Sequence, residues 1–293
     1  MACTAVATTA MGEAAVMASQ TDIGHARPTF ASIVCGVDGS RPSREAARQA
    51  ALLTDDGAAL TYAAVSWEQG TGATAMATLS HRHAHECLQQ AQRDARELGI
   101  KPALVDDRSP DAAGQLMELA AGQDLLVLGI QGHSRAGGIM VGSAASAALH
   151  RSSVPVLVAR RPPEGIDFPS RIVLASDGTP TSDAAAELTA RIAGRHGSHV
   201  AIVGARDHEA PFRRGLAEHA SRIMAATGTE PVILDAPGHL HHAVADAARD
   251  FSAALVITGS RGLTGLPALR SVSERIAHAA PCSVLVVRPA PEG

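Results

Sequence analysis

The sequence contains one pattern of apolar runs twice, and this duplication limits the fold more than any other feature does. Three runs return in the same order in the second half of the chain. The pairs are Ile33–Ser40 with Ile172–Thr179, Leu125–Gly129 with Leu255–Gly259, and Val156–Arg160 with Val284–Arg288. Two copies of one unit that differ only in loop lengths predict paired domains, because a solenoid needs at least three repeats.

The duplication divides the 293 residues into four segments. We predict a tail over residues 1–29, a first domain over 30–161, a linker over 162–169 and a second domain over 170–293. The linker follows Arg161, where two consecutive prolines cannot continue the preceding strand. The first 30 residues carry Glu13 where an export signal would be apolar, so we interpret them as a mobile tail.

Strand-like and helix-like segments alternate within each copy. In the first copy we expect strands near 31–38, 59–66, 102–106, 124–129 and 155–160, and helices near 41–54, 80–98, 111–121 and 143–151. In the second copy we expect strands near 171–176, 198–205, 231–235, 254–259 and 283–288. Continuously apolar strands are typical of parallel sheets that helices cover on both faces. The predicted fold class is therefore α/β, with two tandem doubly wound, Rossmann-like domains, each with a five-stranded mainly parallel sheet.

A glycine pattern follows the fourth expected strand of the first copy. It reads Gly129-x2-Gly132-x9-Gly142-Ser143 and leads into the expected helix at 143–151. Glycines permit close backbone approach, and a helix N-terminus attracts negative charge. The pattern therefore predicts an anion site, most simply for the polyphosphate of a nucleotide. A tight strand-to-helix loop without a ligand is the alternative.

Asp38 follows the first expected strand and so lies at the same sheet edge as Gly129. Ligands of doubly wound sheets bind at this edge, outside the carboxyl ends of the strands. A carboxylate there can accept a hydrogen bond from a ribose hydroxyl. The alternative role of Asp38 is a cap for the following helix.

These residues resemble the nucleotide-binding members of the universal stress protein family, which carry an aspartate after the first strand and G-x2-G-x9-G-[ST] after the fourth. The resemblance covers about residues 30–160 and 170–289. It implies adenine-nucleotide binding, with Asp38 directed to the ribose and Val65, at the end of the second strand, directed to the adenine. Around the phosphates it places Gly129, Gly132, Gly142 and Ser143. We expect ATP, with or without Mg²⁺, and neither flavin nor haem.

Both copies depart from the family pattern, the second more strongly. The aligned residues of the second copy are Asp177, Gly259, Gly262 and Ser271. Arg270 stands in place of the third glycine, after a shortened loop. Because a shorter loop moves its amide groups, we expect a weakened or empty site there, unless the Arg270 guanidinium itself contacts phosphate. In the first copy Gln131 replaces the usual basic residue and Ala145 the usual second serine, which lowers the expected affinity for the terminal phosphates.

Histidines occur in the glycine loop and in two short clusters. His133 could contact phosphate or orient a water molecule, but a loop residue without a reactive role is the preferred interpretation. The clusters, His81–His85 and His239–His242, contain pairs at helical spacing that could hold zinc. His81 and His85 come with no obvious carboxylate or third ligand, so a solvated helix face is preferred.

Composition narrows the possible partners. The net charge of −4 and the scarcity of aromatic residues argue against a nucleic-acid interface. The longest apolar runs are strand-sized, which argues against a membrane span. Lys101 is the only lysine, and it does not lie where a P-loop lysine would. The 4 cysteines form no CxxC pair, which is typical of a reducing cytoplasm, so we expect a cytoplasmic protein.

Three classes of function remain. A nucleotide-binding regulatory protein needs only the predicted phosphate-binding glycine loop. The leading hypothesis is therefore a stress-response regulator that acts through nucleotide occupancy on an unknown signalling protein. An ATP-consuming ligase would need S-G-G-x-D-S or H-x-G-H, which the chain lacks, and a flavodoxin-like module would need aromatic partners for flavin. Slow ATP hydrolysis assisted by Mg²⁺ stays open, so the sequence leaves undecided whether the protein is an enzyme.

The last strand of each copy predicts how the copies associate. Val154–Arg160 and Cys282–Arg288 are apolar and would otherwise expose unpaired backbone groups at a sheet edge. The family resemblance suggests that the copies pack through these strands as an intrachain pseudo-dimer. A homodimer of the whole chain is a further assembly that the sequence leaves open.

Overall fold

The computed structural model describes residues 28–67, 80–130, 141–178, 180–205, 210–236, 239–260 and 272–288. The strands are β1 (Ser32–Gly36), β2 (Ala59–Ser66), β3 (Ala103–Arg108), β4 (Leu125–Gly129), β5 (Val156–Ala159), β6 (Arg171–Ser176), β7 (His199–Ala205), β8 (Val232–Ala236), β9 (Leu255–Gly259) and β10 (Ser283–Val287). The helices are α1 (Arg41–Leu53), α2 (His81–Glu97), α3 (Ala112–Ala120), α4 (Ser143–Arg151), α5 (Pro180–His196), α6 (Ala210–Thr227), α7 (Leu240–Asp250) and α8 (Val272–Ala279). The alternation of strands and helices predicted for both copies is therefore confirmed.

The strands form one sheet in the order β3-β2-β1-β4-β5-β10-β9-β6-β7-β8. Neighbouring strands within each copy are parallel, whereas β5 and β10 are antiparallel, with Leu157 opposite Leu285. The predicted α/β fold class is confirmed, and so is the predicted association of the copies through their last strands. The two five-stranded sheets are joined into one sheet of ten strands, because the edge that each copy exposes pairs with its counterpart.

Alternate residues of the strands enter two separate cores, one on each face of the sheet. In β4, for example, Leu125 and Val127 face α1 and α2, whereas Leu126 and Leu128 face α3 and α4. Each core continues through both copies, with α5 and α6 on the first face and α7 and α8 on the second. This arrangement explains why β4 is continuously apolar, since both of its faces are buried. Among the described residues, no helix is both long and apolar enough to cross a membrane.

Polar side chains close the junction between β5 and β10. The buried Ser283 hydroxyl accepts a hydrogen bond from the Arg160 amide at 2.9 Å and lies 2.8 Å from Oε1 of Gln49. The Gln49 amide in turn donates to the Arg160 carbonyl at 2.8 Å. Because these groups are shielded from water, each depends on the others for its hydrogen bonds.

Two equivalent arginines reach across the junction in opposite directions. The Arg160 guanidinium of the first copy donates to the Ala280 carbonyl just beyond α8, and the Arg288 guanidinium of the second copy donates to the Leu149 carbonyl of α4. Burial lowers the pKa of Arg160 to about 10 and also lowers the pKa of Arg288. Each copy therefore satisfies the C-terminal carbonyl groups of the other copy's last helix.

We expect Ser283→Ala to lower the free energy of unfolding by about 1–3 kcal/mol, because the substitution leaves the buried Arg160 amide and the Gln49 carbonyl without a partner. Urea denaturation measures the change. Ser221→Ala, at an exposed position of α6, is the control and should change the free energy by less than about 0.5 kcal/mol. Equal effects of the two substitutions would contradict the role assigned to Ser283.

Candidate functional site

The carboxyl ends of β1, β2 and β4 bring the described site residues of the first copy to one edge of the sheet. Asp38 follows β1, Val65 lies near the end of β2, and Gly129 ends β4. Ser43 in the first turn of α1 links two of them: its Oγ lies 3.3 Å from the Asp38 amide, which donates to it, and its backbone packs against Gly129. Val65 is half-buried against the core on the α3 and α4 face.

The Asp38 carboxylate shapes the turn between β1 and α1. Its Oδ1 accepts a hydrogen bond from the Ser40 amide at 2.9 Å, and Gly39 between them has a φ of +78°. The cap of α1 is Ser40, whose Oγ accepts from the Ser43 amide at 3.2 Å. Ser40, and not Asp38, therefore occupies the N-cap position of α1.

Gly129 is a glycine because α1 begins directly against it. A Cβ at this position would lie 2.7 Å from the carbonyl carbon of Pro42 and 2.8 Å from the amide nitrogen of Ser43. No real Cβ tolerates such distances, so the glycine keeps the start of α1 close to the end of β4. Close packing thus accounts for Gly129 even without a ligand, and the same closeness brings the β1 and β4 edges together.

Helix α4 begins at this edge without a side-chain cap. Its N-cap is Gly142, which donates its amide to the Ile130 carbonyl at 2.5 Å, and its first turn contains no acidic residue. The first amide groups of a helix have no acceptor within the helix, and they carry a partial positive charge. The start of α4, at Ser143, therefore carries a partial positive charge that no side chain of its own first turn offsets. Gly132 and His133 lie outside the described residues.

A cavity of about 180 Å³ lies next to the Asp38 turn, between α1 and α2. Gly39 and Arg44 line one side, and His83, Glu86 and Cys87 line the other. A larger open groove of about 860 Å³ follows α1 to the segment after Arg160, but it contains none of the described residues predicted for the nucleotide. The smaller cavity therefore adjoins the Asp38 turn, whereas the larger groove reaches Pro42 and Ile130 beside Gly129.

Cys87 is a site-proximal residue that sequence reasoning missed. Burial raises the pKa of its thiol, and the negative charges of Asp38 and Glu86 raise it further, while Arg44 opposes them. The negative charge of Asp38 therefore raises the pKa of a thiol that lines the cavity. A signal was present in the sequence, because Cys87 lies one helical turn after His83 on a helix that starts at this edge.

In the second copy, the space that corresponds to the cavity beside the Asp38 turn is filled by residues of α6. Asp177 and Gly178 follow β6 as Asp38 and Gly39 follow β1, but the backbone of α6 packs on Gly178 at Gly215. His219 of α6 is only 1% exposed, with Nδ1 2.9 Å from the Ser176 hydroxyl and Nε2 2.7 Å from Oδ1 of Asp183. In the second copy the hydrogen-bonded side chain of His219 therefore occupies the place next to the turn where the first copy has Cys87 and a cavity.

The helix that follows the second glycine pattern also differs from α4. Helix α8 carries Glu274 in its first turn, where the side chain is 3% exposed and has Oε1 3.0 Å from Nε2 of His150 in α4. The same oxygen lies 3.7 Å from Nε2 of His278, one turn further along α8. The first turn of α8 therefore has an acidic residue where the first turn of α4 has none. Gly259 ends β9 as predicted, whereas Gly262, Arg270 and Ser271 lie outside the described residues.

The first histidine cluster differs in one respect from the sequence interpretation. His81, His83 and His85 are exposed, but Nδ1 of His81 lies 3.0 Å from Oδ2 of Asp106 on β3. The expectation that no carboxylate accompanies His81 is therefore wrong, because Asp106 is distant in sequence and reaches the helix only through the fold. Within the described ranges, no group of three or more histidine, cysteine or acidic residues could hold a metal ion.

We expect Asp38→Asn to increase the alkylation rate of Cys87 about two- to threefold at pH 8, because removing a nearby negative charge lowers the thiol pKa and raises the thiolate fraction. Iodoacetamide labelling followed by peptide mass spectrometry, in a Cys3→Ser background, measures the rate. Asp177→Asn, the corresponding change in the second copy, is the matched control and should leave the rate unchanged. An unchanged rate in Asp38→Asn would show that the carboxylate charge does not reach the cavity.

Comparison with known proteins identifies the family to which this chain belongs. A profile of the universal stress protein family matches residues 29–160 and again residues 169–288. A universal stress protein of Mycolicibacterium smegmatis is 28% identical over 284 residues, which cover 88% of this chain and 97% of the relative. A universal stress protein of Mycobacterium tuberculosis is 28% identical over 235 residues, which cover 70% of this chain and 73% of that relative. The fold is similar to the crystal structure of a universal stress protein from Archaeoglobus fulgidus, with a TM-score of 0.67 and 18% identity over 90% of this chain and 98% of that one. With two family matches that together span most of its length, the chain belongs to the universal stress protein family.

Proposed function

We propose that the first copy binds an adenine nucleotide, with ATP as the expected ligand, and that the chain acts in the stress response through nucleotide occupancy. The observation that carries this proposal is the start of α4. The Gly142 amide at this start is hydrogen-bonded to the carbonyl of Ile130, the residue after Gly129, and the helix has no side-chain cap and no acidic residue in its first turn. Such an arrangement favours a phosphate group.

The remaining described residues suit the rest of a nucleotide. The Asp38 carboxylate already accepts one amide hydrogen bond through Oδ1, and a carboxylate has acceptor sites for a ribose hydroxyl as well. The half-buried Val65 offers an apolar contact for a base. Gly132 and His133 are assigned to the phosphate loop from the sequence alone, and Mg²⁺ would accompany the phosphates.

The second copy is proposed to hold its nucleotide weakly or not at all. Glu274 places a buried negative charge in the first turn of α8, and a phosphate in the same position would be repelled by it. His219 and the backbone at Gly215 close the space beside the Asp177 turn. These features add to the shortened loop before Arg270.

Occupancy is sufficient for a regulatory role. A ligand that binds only the folded state stabilises it by about 2.7 kcal/mol at a hundredfold excess over its dissociation constant. Because α4 begins at the proposed phosphate position and ends against Arg288 of the second copy, part of this stabilisation can be transmitted to the other copy. The partner that would sense the change is a signalling protein of unknown identity.

We expect Asp38→Ala and Gly142→Ala each to weaken ATP binding about tenfold or more, because each removes or displaces a group directed to the ligand. Isothermal titration calorimetry of the full chain with ATP and Mg²⁺ measures the affinity. Asp177→Ala is the matched control in the second copy and should bind like the unchanged chain. If both first-copy variants also bind like the unchanged chain, the site assignment is wrong.

A phosphate-release assay on the same variants distinguishes a regulator that only binds ATP from an enzyme that hydrolyses it. A regulator that works through occupancy binds ATP without releasing phosphate on the timescale of its response. Steady release of inorganic phosphate that disappears in Asp38→Ala would instead favour the slow hydrolase alternative.

We expect fewer than two tightly held nucleotides per chain, because Glu274 and the closed Asp177 turn oppose binding in the second copy. Equilibrium dialysis against radiolabelled ATP measures the number. Two equivalent sites per chain would contradict this expectation and would make Arg270 a phosphate ligand.

A further inference from the structure

The open groove along α1 reaches the sheet edge where the nucleotide is proposed to bind, and the proposed function leaves it unused. Its volume of about 860 Å³ lies within the range of small-molecule sites, about 300–1,000 Å³. The start of α1 and the segment after β5 line it, and so does Ile130, the residue after Gly129. A ligand whose phosphate lies at Gly129 therefore has room to continue into the groove.

The backbone of Ile130 joins the end of β4 to two neighbouring elements. Its amide donates a hydrogen bond to the Ala159 carbonyl at the end of β5, at 3.1 Å. Its carbonyl accepts a hydrogen bond from the amide of Gly142, the N-cap of α4, at 2.5 Å. The end of β5 and the uncapped start of α4 are therefore both adjacent to the proposed phosphate position.

Two exposed arginines line the groove next to this position, one on each side. Arg41 is the first residue of α1 and precedes Pro42, whose backbone packs directly against Gly129. Arg161 lies two residues beyond the end of β5. Both line the groove, so their guanidinium groups approach the same edge from α1 and from β5.

The other three arginines that line the groove have protein partners. Arg44 donates a hydrogen bond to the Gly39 carbonyl at 2.6 Å. Arg48 lies 3.6 Å from a carboxylate oxygen of Glu45, on the same helix. Arg160 crosses the junction between the copies and donates to a carbonyl there. These three guanidinium groups are therefore used within the protein.

Arg41 and Arg161 have no such partners. Within the part of the chain that the structure describes, neither side chain forms an ion pair or a hydrogen bond. The acidic residues that line the groove are Glu45, Asp94, Glu97 and Glu164, of which Glu45 pairs with Arg48 and Asp94 accepts a hydrogen bond from Gln90. A guanidinium group offers paired N–H donors that match the oxygens of a phosphate, so these two arginines suit a phosphorylated ligand.

The order of the strands gives the direction in which the nucleotide would lie. The strands of the first copy at this edge follow one another as β2-β1-β4-β5. The proposed function places the base at Val65 on β2, the ribose at Asp38 after β1, and the phosphates at Gly129, which ends β4. The next strand in this direction is β5, so the phosphate chain continues toward Arg161.

We propose that Arg41 and Arg161 bind the terminal phosphates of the nucleotide and make the first copy selective for a nucleoside triphosphate over a monophosphate. This inference rests on the proposed function, because it takes the positions of the base and the ribose from there. The phosphate of a monophosphate ends beside Gly129 and the start of α4. The second and third phosphates of ATP extend beyond that point to the two guanidinium groups.

The experiment compares ATP with AMP by isothermal titration calorimetry of the full chain at one ionic strength, with Mg²⁺ present. We expect Arg41→Gln and Arg161→Gln each to weaken ATP binding about five- to tenfold and to change AMP binding less than about twofold. A merely structural role of either arginine would affect both nucleotides alike. Arg41→Lys keeps the positive charge and should therefore lose less ATP affinity than Arg41→Gln.

Arg48→Gln is the matched control. It makes the same change of charge about two turns further along α1, where the arginine already pairs with Glu45. Its affinities for ATP and for AMP should equal those of the unchanged chain. A loss of ATP affinity as large as that of Arg41→Gln would mean that the general charge of the groove, and not contact by Arg41, attracts the nucleotide.

The outcomes separate this inference from the proposed function. ATP binding that is unchanged in both Arg41→Gln and Arg161→Gln would overturn the inference and leave the nucleotide site in place. Equal losses of ATP and AMP affinity would also overturn it, because they would show that the arginines support the fold of the edge. If the unchanged chain binds neither nucleotide, the proposed function is wrong and the inference fails with it.

Discussion

The antiparallel pairing of β5 with β10 is the interaction on which the rest of the molecule depends. Each copy alone would expose one edge of a parallel sheet built from apolar residues, and such an edge pairs readily with another strand. The duplication places the partner on the same chain, so the two sheets become one and the two cores become continuous. Arg160 and Arg288 then cross the junction and hydrogen-bond the end of the last helix of the opposite copy.

Helix α4 connects this junction with the proposed nucleotide site. Its N-cap, Gly142, donates its amide to Ile130 just after β4, while its last turn is held by Arg288 and by the contact of His150 with the buried Glu274. A helix of 9 residues is about 14 Å long, so α4 spans the distance from the sheet edge to the junction. The same helix therefore contacts both the proposed nucleotide site and the second copy.

The fold could be read from the sequence because periodicity and apolar runs report local structure directly. The strands and helices followed from them, and Asp38 and Gly129 are brought to one edge by the parallel sheet. The pairing of the last strands was implied by the family resemblance, and their apolar edges gave it a physical reason. Cys87, His219 and Glu274 could not be found in this way, since their importance comes from neighbours on other helices. The glycine spacing predicted a phosphate loop, yet the packing of α1 explains part of it: Gly129 is required by Pro42 whether or not a ligand binds.

The starts of four helices show how the copies have diverged in charge while keeping one fold. In the first copy α3 begins with Asp111, whereas α4 has no acid in its first turn. In the second copy the arrangement is reversed, because α7 begins with His239 and α8 carries Glu274. Of these two helices, each copy thus has one that starts with an acidic residue and one that does not. Since these partial charges are fixed by the backbone, the change of one side chain at a helix start is enough to change the local charge there without altering the sheet.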